Sequence, residues 1–102
     1  MTISQADLPP DWQALGPEGG FEGELKLELG PVHRLYGVPL QGAARRSSND
    51  DVLFRHKAEA DRYSVVHLTW SSAEEPPGWP AVEFTGTFAQ FREAYASPPE
   101  DD

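Results

Sequence analysis

Two runs in the middle of the chain, DDVLFRH (50–56) and YSVVHLTW (63–70), place leucine, aromatic or β-branched side chains at both odd and even positions. A strand sends successive side chains to opposite faces, so a sheet built from these runs is apolar on both faces, and each face needs a cover. With VPLQGAARR (38–46) ahead of them and the polar turns SSN and KAEADR between them, the runs predict a three-stranded antiparallel meander. Pairing through two hairpins assigns Leu40, Gly42, Ala44, Val52, Phe54, His56, Tyr63, Val65 and His67 to one face. Ala43, Leu53, Val66, Leu68 and Trp70 fall on the other. The covers are helices on opposite sides or a second chain, so a homodimer through the less covered face is one expectation.

The flanks supply the helices. Leu8, Trp12 and Leu15 recur at helical spacing, with Asp7, Pro9 and Pro10 suited to a start and Gly16-Pro17 to a stop, which predicts a short helix at 9–15. Phe21, Leu25 and Leu29 repeat the spacing and end in Gly30-Pro31, a helix-closing pair. Leu25, Leu27 and Leu29 also alternate with Glu24, Lys26 and Glu28, a strand pattern, but the ending favours helix over 21–29. A fourth short strand is possible at 81–84. Thr87 and Gln90 match a capping box, followed by the stripe Phe88, Phe91 and Tyr95, so a helix is expected over 88–96. The fold class is α+β: a single domain over 1–97, with 98–102 a disordered acidic tail.

A chain of 102 residues holds one core, and three Trp, three Tyr and five Phe are enough to anchor it. Seventeen acidic against eight basic side chains give a net charge of -9, which repels phosphate backbones and anionic membranes, so neither nucleic acid nor membrane is an expected partner. Without cysteine there is no disulfide, thiol nucleophile or thiolate metal site. MTISQADLPPDW has no basic segment followed by an apolar run, and apolar stretches elsewhere are only two or three residues long, so a cytoplasmic location is expected.

No nucleotide-loop, serine-hydrolase-elbow, zinc-protease or calcium-loop series occurs. Neither a metal nor a cofactor is therefore expected. Asp50 and Asp51 lie across the first hairpin from Arg45 and Arg46, where a structural ion pair is the simplest reading. An alternative has His67, Asp51 and Arg45 lining a ligand-binding or enzymatic cleft. His56 and His67 share a face in the pairing above, but too far apart for one metal ion. Trp70 and Trp79 bracket the loop SSAEEPPGWP; Trp79 either packs that loop onto the sheet or joins Trp70 in an interaction patch. Glu74, Glu75 and the tail acids solvate the chain, dock on a basic partner or imitate nucleic acid.

The segments LYGVPLQGAARR (35–46), DDVLF (50–54) and SVVHLTW (64–70), in this order, resemble a group of small bacterial proteins that pair a DDVLF strand with a VVHLTW strand. The resemblance implies a bacterial origin, a single small domain and a helix before LYG. It transfers no catalytic residue. Function then rests on the residues, and the absence of catalytic motifs favours a non-enzymatic accessory or regulatory protein that binds another protein. Trp70, Trp79, His67, Asp51 and Arg45 are its candidate binding residues.

Overall fold

The strand prediction is extended by the computed structural model, which describes residues 5–15, 21–47, 50–70, 73, 75 and 79–95. The sheet has five antiparallel strands in chain order: β1 (Trp12–Ala14), β2 (Leu40–Arg46), β3 (Asp51–His56), β4 (Tyr63–His67) and β5 (Ala81–Gly86). Helix α1 (Phe21–Glu28) precedes β2, and helix α2 (Phe88–Tyr95) follows β5. The strand at 81–84 is real and two residues longer. The acidic tail at 98–102 lies outside the described residues.

The helix expected at 9–15 is strand β1. Pro9 and Pro10 do form a turn, closed by the Trp12 amide donating to the Pro9 carbonyl, but the chain then pairs Trp12 with Arg46 and Ala14 with Ala44. Pairing with β2 satisfies the backbone of this short segment and sends Trp12 into the core. The open edge of β1 is blunted by Gln5, whose amide donates to the Trp12 carbonyl at 2.7 Å and accepts from the Ala14 amide at 2.9 Å.

Each face of the sheet has its own cover. On one side α1 and the 29–35 segment lay Leu25, Leu29 and Leu35 on Val52, Phe54, Val66 and Leu68. On the other, α2 lays Phe91 on Trp12, Ala44, Leu53, Tyr63 and Val65, with Phe84, Phe88 and Tyr95 around them. Trp12 meets Phe91 edge-on at 5.0 Å and Tyr95 at 5.4 Å. The capping box at α2 is formed: Gln90 N–H donates to Thr87 Oγ1 at 3.1 Å and Thr87 N–H to Gln90 Oε1 at 2.9 Å. Asp61 adds a carboxylate acceptor for the Phe88 amide.

The expected face assignment is corrected by the register. Val52 pairs with Val66 and Leu53 with Val65, so Val52 and Phe54 face α1 together with Val66 and Leu68, not with Tyr63 and Val65. Two β-bulges redirect β2 and β5, the strands that flank the β3–β4 pair. One lies between Gly42 and Ala44 in β2, and the other falls at Glu83, because Val65 pairs with Phe84 while the next residue, Val66, pairs with Val82. One extra residue reverses the facing of everything beyond it. Ala44 and Arg46 thereby turn toward α2, although Gly42 faces α1, where Glu22 accepts the Gly42 N–H at 2.6 Å.

Candidate functional sites on opposite faces

At the α2 face the register sets Asp51 directly opposite His67 on neighbouring strands. His67 Nδ1 lies 2.8 Å from Asp51 Oδ1, and Asp51 is 1% exposed. Arg46 Nη1 lies 3.4 Å from Asp51 Oδ2, and its Nε donates to Asp11 at 3.0 Å. The guanidinium also stands over the rings of Trp12 and Tyr95 at 5.8 and 5.4 Å. The bulge in β5 brings Glu83 to the same place, so that one ligand atom each from Asp51, His67 and Glu83 fall within 4.8 Å of one another.

The electrostatics follow from this crowding. The hydrogen bond that His67 donates to Asp51 raises the His67 pKa above its ordinary 6.5 and outweighs burial, helped by the negative charges of Asp51, Glu83 and Asp50. Glu83 is raised in turn, by partial burial of its carboxyl group and by a hydrogen bond to, and repulsion from, Asp51. Tyr95 is raised by burial and by the same two carboxylates. The cluster therefore holds protons tightly around one buried carboxylate.

Of the three residues grouped in the cleft alternative, Asp51 and His67 meet, and the cation beside them is Arg46 rather than Arg45. Arg45 is paired opposite Val52, a residue of the α1-side core, and so belongs to the other face. His56 is also on the α1 side and does not share a face with His67: its Nε2 bonds Ser64 Oγ at 2.7 Å, and that hydroxyl bonds Thr85 at 2.9 Å. Burial and the nearby Arg62 charge lower the His56 pKa. Glu83 was missed, since only the bulge aims it at the cluster.

A second constellation forms where α1 meets the end of β4. Glu28, fully buried, accepts the backbone N–H of Thr69 on Oε1 at 2.9 Å and that of Trp70 on Oε2 at 2.8 Å. Burial and a hydrogen bond to the Glu24 carboxyl raise its pKa. Between them these contacts hold Trp70 at φ 59°, in the left-handed region that a bulky side chain rarely adopts. Its ring meets Phe21 edge-on at 5.6 Å yet stays 47% exposed. Trp79 is 46% exposed, so neither tryptophan is sealed into the core. Leu27, Val32 and Tyr36, from α1 and the turns after it, are also exposed. His33 ties those turns to the start of β5, its Nδ1 accepting the Leu35 amide and its Nε2 donating to the Pro80 carbonyl at 2.8 Å.

A cleft of about 540 Å³ opens beside α1, between Leu25, Leu29, Val38 and Leu40, with Lys26 and Lys57 at its rim. It lies away from Asp51 and His67. No helix among the described residues is long and apolar enough to cross a membrane. Comparison of the chain with protein-family models, with curated proteins and with solved structures finds no match in any of the three.

Proposed function

We propose that this chain is a non-enzymatic accessory or regulatory protein that acts by binding another protein, with Trp70 as the anchor of the interface. The observation that carries the reading is the way Trp70 is held. A buried carboxylate is committed to two backbone donors and a tryptophan is kept in a strained backbone conformation, with the result that the ring stands half-exposed on Phe21. Strain of this kind costs on the order of 1–3 kcal/mol and persists where surrounding structure over-determines it, commonly at binding sites. A pre-positioned tryptophan loses little further freedom on association, which is the property of an interface hot spot.

Trp79, Leu27, Val32 and Tyr36 supply further exposed apolar surface on the same chain. With a net charge of -9 around it, the favoured partner is a protein with an apolar pocket rimmed by basic side chains. Glu24, Glu28 and Asp51 are buried, which removes three carboxylates from any surface stripe and weighs against imitation of nucleic acid.

The test is affinity capture from a lysate of the source organism with wild-type and Trp70→Ala chains as bait, at low and moderate salt. A stoichiometric partner should be held by the wild type at both salts and bound at least about 30-fold more weakly by Trp70→Ala, the effect of truncating a hot-spot tryptophan. A partner captured equally by both chains, or no partner under either condition, would overturn the proposal.

A further inference from the structure

Asp51, His67 and Glu83 stand 16 residues apart in the chain, one on each of three consecutive strands. Nothing local in the sequence marks them as a set, and the site exists only because β5 bulges at Glu83. In a regular strand Val82 and Phe84 would share a face. Here Val82 packs in the aliphatic core and Phe84 in the aromatic one, and the extra residue between them meets Asp51 and His67. Bulges that re-aim one side chain are features of functional sites.

We propose that Asp51, His67 and Glu83 bind a divalent first-row transition ion of the zinc type. Three donor atoms within 4.8 Å of one another need only small rotamer changes to reach a common ion at roughly 2.0–2.2 Å each. One imidazole nitrogen with two carboxylate oxygens suits zinc or its neighbours better than magnesium or calcium, which take oxygen ligands alone. Arg46 fits the role of an outer-shell group: it faces Asp51 Oδ2, while Oδ1 is hydrogen-bonded to His67 Nδ1, so a bound ion takes the place of the proton between those two atoms; the charge of Arg46 is met by Asp11. Asp11, Asp51 and Glu83 against Arg46 leave two negative charges when His67 is neutral, and a dication cancels them. The His67 side chain is about one-third exposed and Glu83 is exposed, so the ion enters from solvent and keeps water in its remaining position.

The test is calorimetric titration of zinc into chelator-treated full-length protein, wild type against His67→Ala, Glu83→Gln and, as a control, His33→Ala. The wild type and the control should each bind one ion per chain, with affinity falling at least about tenfold in His67→Ala and Glu83→Gln. Absence of saturable binding at submillimolar zinc would overturn the proposal, as would wild-type affinity in Glu83→Gln. Circular dichroism checks that each variant is folded; Glu83 is exposed, so Glu83→Gln carries the test even if His67→Ala loses stability.

Discussion

The two faces of the sheet treat the same residue types in opposite ways. Toward α1 the core is mainly aliphatic, and the ionisable groups within it hydrogen-bond largely to uncharged groups: His56 bonds a serine hydroxyl, and Glu28 accepts two backbone amides beside the Glu24 carboxyl. Toward α2 the core is aromatic and ends in a charged cluster, where His67 lies against a buried aspartate and Arg46 over two rings. Both histidines sit on the central strands, yet one is pushed down in pKa and the other up. Burial dominates at His56, and the aspartate across the strand dominates at His67.

The largest expected effect tests whether both faces are packed layers. Phe91 is fully buried against the α2 side, and Phe91→Ala should lower stability in urea unfolding by about 3–5 kcal/mol, with Leu25→Ala costing a comparable 2–5 on the other face. A loss below about 1 kcal/mol for Phe91→Ala would mean that α2 is a loose cover, and the symmetry of the two layers would fail.

Next comes the clamp. Glu28→Ala strips the acceptor from two amides beside a strained residue and should cost about 3 kcal/mol, while the exposed Glu93→Ala should cost less than about 0.5. Equal small effects would remove Glu28 from its assigned task.

The histidines should separate by pH. His67, raised by Asp51, adds stability that is fully present below its unfolded value of about 6.5 and is lost as pH climbs through the folded value. His56, lowered by burial, works the other way: stability is highest above about 6.5 and falls as pH drops through its folded value. In an NMR titration of the ring protons His56 should therefore titrate below His67, and Asp51→Asn should move His67 down toward 6.5 with His56 unchanged. The reverse order would break the contrast between the faces.

The smallest stability effect belongs to Trp70→Gly. Glycine takes the left-handed backbone without strain, a gain on the order of 1 kcal/mol that roughly offsets the lost edge contact with Phe21, itself about 0.5–1.5. The melting temperature should shift by only a few degrees although partner capture is lost. A fall comparable to that of Glu28→Ala would assign Trp70 to the core instead.

Much of the architecture was legible because it rests on local chemistry. Apolar residues at both parities in DDVLF and VVHLTW announced a sheet needing two covers, Gly30-Pro31 marked the limit of α1, and Thr87 with Gln90 began α2. Strand β1 was hidden because Leu8, Trp12 and Leu15 fall at helical spacing by coincidence, and only the partner strand β2 reveals Trp12 as a strand residue. Of the candidate site, Asp51 and His67 were visible as members of one group, while Arg45 stood in for its neighbour Arg46 and Glu83 went unseen.

The sequence by itself determined the number of apolar faces, the end of α1 and the start of α2, since each depends on residues within a turn or two of one another, and its composition set the net charge. Tertiary structure alone decided which side chains share a face. That choice turns on register and on two bulges, and because side chains alternate with period two, a single extra residue in β2 or β5 carries Arg46 and Glu83 to the buried aspartate or away from it.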